Sequence, residues 1–350
     1  MKAITITATR GKKAVALLAF FTLCLGLLGF PAAAESGARR GLAVCGDVLI
    51  PSLFPFMALS SFLVESGLSD TIGRRLGKWT RRLFGLPGRC ATGILLGFVG
   101  GYPAGAAACA KMYKRGDLTA EEARRMMRFC VVSGPAFVVS TVGAGLLRST
   151  FHGWLLLFAQ WTAALCIGVF GGRLQQDHPS PPPAKSVGVS LFSAMGTAVG
   201  DAARAMLVLC GFVTAATCFL SLLDAVGLPQ TVTDVIAAVT EVSVGCIAWA
   251  PRGVLLSACI GFGGLSVHGQ IASLFAGQPL LDRGFFVARL MHALLAAGLT
   301  AVLFHLFPLP LAVFAPQTAT VLPFSSGFTG SLALLATVIT ALLSGLQKET

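Results

Sequence analysis

The sequence is poor in charge. Lysine, arginine, aspartate and glutamate together make up only 11% of its 350 residues, whereas hydrophobic residues make up 55%. Soluble globular chains carry roughly 25% charged residues, so these few charges would not keep a chain of this length in solution. The shortage excludes a soluble enzyme, a disordered protein and a disulfide-rich secreted domain. It predicts an all-α polytopic membrane protein whose crossings need about 20 residues each.

Acidic residues are the scarcer kind of charge, with 14 against 26 lysines and arginines, and the formal net charge is +12. The sequence has neither an arginine-rich tail nor a set of stacking aromatic residues. We therefore interpret the excess as basic cytoplasmic loops and expect no nucleic-acid partner.

The sequence also lacks the short motifs of several chemistries. None of its ten cysteines forms a C-x-x-C pair, so we expect no metal or redox site. H-E-x-x-H, G-x-S-x-G and P-loop motifs are absent as well. We expect neither an enzyme nor a bound cofactor.

Two interpretations of the N-terminus remain open. Lys12 and Lys13 precede an apolar run over 14–30 and then Pro31-Ala-Ala-Ala, which is the pattern of a signal peptide. The apolar run is long for a signal peptide, which favours a retained, signal-anchor-like transmembrane helix over residues 1–34.

Apolar stretches recur along the whole chain. The least apolar part, 173–190, contains Pro179-Ser-Pro-Pro-Pro183 and is typical of a stiff linker, which we expect to be cytoplasmic. It divides the chain into a first repeat, 35–172, and a second repeat, 191–350. The apolar stretches are 13–33, 42–65, 91–113, 130–148, 153–172, 204–227, 232–250, 253–276, 287–307 and 328–346.

The two halves carry similar glycine-rich segments. Gly97-Phe-Val-Gly-Gly-Tyr-Pro-Ala-Gly105 resembles Gly261-Phe-Gly-Gly-Leu-Ser-Val-His-Gly269, and Arg128 parallels Arg289 at a similar offset. The shared order favours an internal repeat. Chance similarity between glycine-rich helices is the alternative.

The basic residues predict the orientation of each half. Region 74–128 holds twelve of them and region 227–292 only three, so the two regions are expected to face opposite sides of the membrane. Stretch 91–113 has positive charge on both sides, and a re-entrant hairpin at its glycines and Pro103 keeps both ends cytoplasmic. The expected fold is two inverted repeats, each with a Gly/Pro-broken re-entrant hairpin, plus an extra N-terminal helix.

The second re-entrant hairpin is predicted over 253–276, open to the outside. In this arrangement 153–172 and 287–307 both run inward, and 328–346 runs outward. Lys114 then faces the cytoplasm and Gln278 faces the outside.

Several motifs together resemble the YlbJ-type sporulation integral membrane proteins, which carry a nucleoside-recognition (Gate) domain. Such domains also occur in nucleoside transporters and in ferrous-iron transport proteins. The resemblance runs from about Glu35 to the C-terminus and implies a multi-pass protein of the bacterial cytoplasmic (inner) membrane, needed for spore formation. The motifs are Pro51-Ser-Leu-Phe-Pro-Phe56, Gly100-Gly-Tyr-Pro-Ala-Gly-Ala106, Ser133-Gly-Pro135 and Gly261-Phe-Gly-Gly-Leu-Ser-Val-His268.

Two departures from the family pattern bear on the solute. Ala107 and Ala108 stand where relatives often carry a basic residue, which argues against an anionic substrate at this turn. Val131-Val132 stands where relatives often carry an amide, which removes one hydrogen-bonding partner.

Paired broken segments in inverted repeats are typical of transporters, because helix ends and unwound backbone replace the lost hydration of a polar solute. The candidate substrate-binding residues are Gly100, Gly101, Tyr102, Pro103, Gly105, Ser133, Gly134, Pro135, Glu241, Gly263, Gly264, Ser266, His268 and Gln270.

Most of these residues have a structural alternative. Gly101 also fits a small-xxx-small helix contact, Ser133 a helix kink, and His268 a satisfied buried histidine. Glu241 is a functional candidate as an ionisable group at membrane depth. It is instead solvated if 232–250, like 69–89, lies at the membrane surface.

We therefore predict a transporter or gated permeation protein for a small polar, nucleoside-like solute. The alternative is a non-transporting membrane scaffold or sensor required for spore formation. A pocket between the hairpins favours the first and dry packing the second. The expected partners are the lipid bilayer and the solute, with a homo-oligomer or a membrane partner left open.

Overall fold

The structure, a computed structural model, describes residues 17–18, 20–173, 190–275, 278 and 280–309. Within these ranges the chain is helical, with turns and short extended segments but no strand, as the composition predicts. Most of the proline-rich linker and the apolar stretch 328–346 lie outside the described residues.

The helices are numbered in chain order, and two π-helical segments interrupt them. They are α1 (Phe20–Gly29), α2 (Pro31–Val44), α3 (Ile50–Glu65), α4 (Leu68–Phe84), α5 (Cys90–Gly100), α6 (Tyr102–Lys114), α7 (Ala120–Cys130), α8 (Thr150–Arg173), α9 (Leu191–Ala225), α10 (Gln230–Thr240), α11 (Val242–Trp249), α12 (Gly253–Phe262), α13 (Gly264–Leu274) and α14 (Arg283–Leu306), with the π-helical segments at Cys45–Leu49 and Ala136–Leu146.

Five segments of the described chain are long and apolar enough to cross a membrane. The composition therefore predicted a multi-pass helical protein correctly. The five segments are Pro31–Glu65, Thr150–Gly172, Leu191–Ala225, Gly253–Leu274 and Arg283–Leu306.

The helical run Pro31–Glu65 packs antiparallel along α9, and each has 35 residues. A Cβ on Gly37 would lie 2.7 Å from Cys218 Cα, and one on Gly41 would lie 2.7 Å from Thr214 Cα. Small residues thus let the backbones touch, as in membrane helix pairs. The run begins at Pro31, before the apolar stretch 42–65, and proline is favoured in a first helical turn.

Helices α5 and α6 fold back on each other at Gly101. A Cβ on Gly105 would lie 2.6 Å from Gly97 Cα, whereas a continuous helix would separate residues 97 and 105 by about 12 Å. Gly101 has φ 86° and ψ −171°, a conformation open almost only to glycine. Pro103 follows in the first turn of α6, so the chain turns where the sequence predicted it.

Helices α10 and α11 form a second helical hairpin, which the sequence did not predict. Trp249 Nε1 donates to the carbonyl oxygen of Asp234 at 3.1 Å, and a Cβ on Gly245 would lie 2.6 Å from Ala238 Cα. The two legs therefore lie side by side. The turn is a single extended residue, Glu241, with φ −146° and ψ 125°.

The prediction of a hairpin over 253–276 was wrong, because α12 and α13 continue in one direction along α14. Gly253 packs on the ring of Phe304 near one end of α14, and the His268 ring lies 5.5 Å from that of Phe285 near the other end. The left-handed Gly263 interrupts the helix without reversing it. The segment is a broken span.

The first half contains the same arrangement. α7, an extended stretch at 131–134 and the π-helical segment Ala136–Leu146 follow one another along α8. Phe129 packs on Gly168, and Gly143 lies against Gly153 at the other end of α8.

Helices α8 and α14 are antiparallel. His152 Nε2 donates to the carbonyl oxygen of Phe307 at 3.1 Å, and His292 Nε2 donates to that of Gln160 at 3.0 Å. The prediction that 287–307 crosses in the same direction as 153–172 was therefore wrong. The error follows from the misplaced hairpin, because 253–274 continues along α14 instead of returning.

Candidate functional site

Three interruptions of the helices, at Gly101, Gly134 and Glu241, line one small cavity, and the fourth, at Gly263, packs on the Tyr102 ring beside it. The volume of the cavity is about 40 Å³, enough for a few water molecules and far below the roughly 300–1,000 Å³ of drug-sized ligand pockets. The lining residues are Leu49, Leu53, Gly101, Tyr102, Pro103, Gly134, Phe137, Leu209, Val213, Glu241, Val242, Ser243, Val267 and Gln270.

The turn of the first hairpin contacts both broken spans. A Cβ on Gly101 would lie 3.1 Å from the backbone nitrogen of Gly134 in the first span. The Tyr102 hydroxyl donates to the carbonyl oxygen of Ile260 in the second span. Of the five residues predicted here, Gly101, Tyr102 and Pro103 line the cavity. Gly100 and Gly105 instead pack against neighbouring helix backbone and side chains.

The first broken span leaves carbonyl groups free where α7 ends, and a buried arginine binds them. Arg289 of α14 is fully buried and donates to the carbonyl oxygens of Arg128, at 2.7 Å, and Val131. Ser133 is also fully buried, and Gly134 lines the cavity. Pro135 precedes the π-helical segment that continues the span.

The turn of the second hairpin is the carboxylate residue Glu241, of which only 1% is exposed. Its Oε2 accepts from the backbone nitrogen of Val244 at 2.9 Å and so caps the N-terminus of α11. The alternative that Glu241 sits in water at the membrane surface was therefore wrong. Val242 and Ser243 line the cavity beside it.

The site contains two buried ionisable groups, Glu241 and Arg289. Each lies at the end of a helix whose dipole has the opposite sign of charge. Glu241 is at the N-terminus of α11, and Arg289 binds carbonyl groups at the C-terminus of α7. Neither has an ion-pair partner within the described part of the chain. An uncompensated buried ion costs several kcal/mol. The helix dipole offsets up to about 2 kcal/mol, and a hydrogen bond to a charge contributes about 1.5–3 kcal/mol.

The second broken span brings Gly263 and Gly264 against the two hairpin turns. A Cβ on Gly263 would lie 3.5 Å from the Tyr102 ring, and one on Gly264 would lie 3.2 Å from Glu241 Cα. Gln270, on the following helix, lines the cavity. This span therefore closes the site between the two hairpins.

Of the five residues predicted on this span only Gln270 lines the cavity; Gly263, Gly264, Ser266 and His268 do not. His268 Nε2 donates to the carbonyl oxygen of Phe262 at 3.1 Å, and the ring packs edge-on against Phe262, Phe285 and Phe286. His268 thereby holds the last carbonyl of α12 at the break. Ser266 is buried nearby, without a hydrogen-bond partner for its hydroxyl among the described residues.

The sequence interpretation missed Arg289 as part of the site and used it only as a marker of the repeat. An arginine within an apolar stretch is itself a signal of function or of a buried partner. Ser243 and Val267 carry no comparable signal, because small polar and apolar residues are common throughout this chain.

The fold and the site define a multi-pass helical membrane protein. Two helical hairpins and two broken spans meet at a buried carboxylate.

Comparisons with known proteins agree with this class. Residues 48–150, which include the first hairpin and the first break, match the family model for nucleoside recognition (Gate). The chain is 25% identical over 327 residues to the sporulation integral membrane protein YlbJ of Bacillus subtilis (strain 168), an alignment that covers 79% of each chain. No solved structure matches it significantly. The resemblance inferred from the motifs is confirmed, and the chain is a multi-pass protein of the bacterial cytoplasmic membrane.

Proposed function

We propose that this protein is a transporter or gated permeation protein for a small polar, nucleoside-like solute. The observation that carries the proposal is the convergence of two hairpin turns and two broken spans on the Glu241 cavity. Broken helices supply free backbone groups and half-helix dipoles, which replace the hydration of a solute at the bilayer midplane.

The proposal includes two inverted repeats. Apart from α4, which has no equivalent between α9 and α10, each half has a long helix, a helical hairpin, a broken span and a return helix, in the same order. The long helices are antiparallel to each other, and so are α8 and α14. An inverted repeat has this relation between equivalent helices.

Both hairpins are proposed to be re-entrant. Basic residues flank α5 and α6 on both sides, which supports a cytoplasmic position for the open end of the first hairpin. Helix α9 then crosses outward, so the hairpin of α10 and α11 opens to the outside. Gln278 is expected in the cytoplasm on this revised topology.

The lining of the cavity supports a neutral or cationic solute. Among the described residues that line it there is no lysine, arginine or histidine, whereas Glu241 is present. The same carboxylate already occupies the positive end of α11, which would otherwise attract an anion. A neutral nucleoside fits this chemistry and a nucleotide does not.

The small cavity corresponds to an occluded state in this proposal. A nucleoside enters only if a hairpin turn moves away from the broken span beside it. The contacts that separate in such a movement are those of Tyr102 with Ile260 and of Gly101 with Gly134.

A non-transporting membrane scaffold or sensor required for spore formation is the second candidate. The observation that favours it is the size of the cavity, about 40 Å³, since a site that never opens needs no more room. Solute-dependent stabilisation of the purified protein distinguishes the two candidates.

A thermal-shift screen of polar metabolites, including nucleosides, tests the proposal on the purified full chain. A ligand at 100 times its Kd stabilises the folded state by about 2.7 kcal/mol. Glu241→Gln is expected to abolish the shift and the uptake into proteoliposomes. The protein should still fold, because a glutamine oxygen can cap α11 as well.

Asp224→Asn is the matched control, because it removes an exposed carboxylate at the end of α9. It should leave the ligand shift and the uptake unchanged. Full ligand response and uptake in Glu241→Gln would contradict the assignment of the central site.

Cysteine labelling tests the topology separately, in a background without the native cysteines. Lys114→Cys and Gln278→Cys should react only from the cytoplasmic side, and Gly227→Cys only from the outside. Reaction of Gln278→Cys from the outside would overturn the revised topology.

A further inference from the structure

Helix α4 presents three cations along one side of an open depression. Lys78, Arg81 and Arg82 follow the i, i+3, i+4 spacing that places side chains on one helix face. They line a depression of about 580 Å³ together with Gly73, Gly77 and Gly88. The loop after α4 returns closely over these glycines, since a Cβ on Gly88 would lie 2.6 Å from Gly77 Cα.

The side chains of these three cations have no hydrogen bond or ion pair with other described residues. Other basic residues of the same half differ in this respect. Lys111 and Arg128, for example, each contact carboxylates at 2.6–2.7 Å. The donors of the depression are therefore free to bind an anion.

An apolar stripe lies next to the cations on the same helix. Trp79 is 64% exposed and Leu83 is 40% exposed, and their spacing places one above the other on the helix surface. Tryptophan is enriched where a helix meets the lipid–water boundary. A helix with an apolar stripe beside a cationic one lies in that boundary, with its cations at the headgroups.

We propose that this depression binds the phosphate headgroup of an anionic phospholipid, with Trp79 and Leu83 placed among its acyl chains. Arginine guanidinium groups bind phosphate oxygens through paired hydrogen bonds, and Arg81 and Arg82 supply two such groups at the rim. Gly73, Gly77 and Gly88, which also line the depression, have no side chains to fill the space for the headgroup. The adjoining apolar stripe favours a lipid over free phosphate, which has no acyl chain to place there.

The experiment uses the purified full chain in nanodiscs and measures retained lipid by native mass spectrometry. Dioleoyl-phosphatidylglycerol is titrated against dioleoyl-phosphatidylcholine. Because each cation near an anionic surface changes affinity by about fivefold, Arg81→Gln/Arg82→Gln should weaken phosphatidylglycerol binding by about 25-fold. Binding of phosphatidylcholine should not change.

Lys114→Gln/Arg283→Gln is the matched control, since it removes two exposed cations outside the depression. Its affinity for phosphatidylglycerol should stay within about twofold of wild type. An equal loss in both double variants would show a general charge effect and overturn the site. Equal binding of the two lipids by the wild-type protein would overturn it as well.

A second variant and a soluble probe separate lipid from free phosphate. Trp79→Ser changes no charge and should weaken retention of phosphatidylglycerol severalfold. Inorganic phosphate at millimolar concentration should not displace the lipid. Displacement by phosphate together with wild-type retention in Trp79→Ser would identify a soluble-anion site and refute the lipid assignment.

Discussion

Replacing Gly101 by alanine tests the geometry on which the candidate site depends. Gly101 has φ 86° and ψ −171°, where a residue with a side chain costs about 1–3 kcal/mol. Its Cβ would also lie 3.1 Å from the backbone nitrogen of Gly134. Crowding of this kind in a packed interior costs about 1–3 kcal/mol, so the total expected loss is about 2–6 kcal/mol.

The chain offers a control that separates these two costs. Gly116 also has a positive φ, 77°, but a Cβ there meets nothing within 4 Å among the described residues. Gly116→Ala should therefore cost only the backbone strain, about 1–2 kcal/mol. Thermal unfolding of both purified variants in one detergent gives the comparison.

The larger loss in Gly101→Ala should come with a loss of solute response, because the turn would move away from the cavity. Equal unfolding temperatures for the two variants would refute the close approach of the hairpin turn to the first broken span. A stable Gly101→Ala protein with unchanged solute response would refute the role of this turn in the site.

Three further predictions concern charged residues around the site. Arg289→Lys keeps the charge but should lower the free energy of unfolding by about 1–3 kcal/mol, because one ammonium cannot replace the guanidinium that binds two carbonyl groups; thermal unfolding equal to wild type would contradict this role. Burial opposes ionisation of Asp282, but its hydrogen bond to Arg128 and the arginine charge outweigh burial and lower its pKa from 3.8. The stabilisation of the folded state by ionised Asp282 is therefore present above the unfolded-state pKa. It disappears as the pH falls through the lower folded-state pKa. Asp282→Asn should accordingly unfold at a lower temperature than wild type at pH 7, with the difference closing below about pH 4, and a difference that stays constant with pH would disprove the assignment. Lys111→Met leaves two carboxylates that contact this ammonium, one of them Asp201, without a cation; it should cost about 1 kcal/mol, and addition of Asp201→Asn should recover part of the loss in a double-mutant unfolding cycle.

The first hairpin was predictable because its turn has local chemical causes. Gly101 provides the positive φ, and Pro103 favours the start of a helix. Basic residues on both sides of the segment disfavour a single membrane crossing. The class of protein was predictable from composition, because the scarcity of charge is a property of the whole chain and does not depend on where the helices turn.

The second hairpin was not predictable from local sequence. No glycine or proline lies between Val239 and Val244, and Glu241 turns the chain by adopting an extended conformation and capping the next helix. The left-handed Gly263 did signal an interruption. Its backbone permits either a reversal or a bend, and packing along α14 determines which one forms.

The lengths of the two antiparallel 35-residue helical runs limit how the protein can sit in a bilayer. At 1.5 Å per residue each is about 52 Å long, whereas the hydrocarbon layer is about 30 Å thick and the whole bilayer about 40–45 Å. The pair must tilt steeply, extend beyond the headgroups, or do both. Ion pairs lie toward both ends of the run Pro31–Glu65: Arg39 pairs with Glu35, and Lys111 bridges Glu65 and Asp201 of α9. The two groups of ion pairs are a fixed distance apart along the helices, and both favour the polar surfaces of the membrane. Bilayers of different acyl-chain length should therefore change the tilt of the pair.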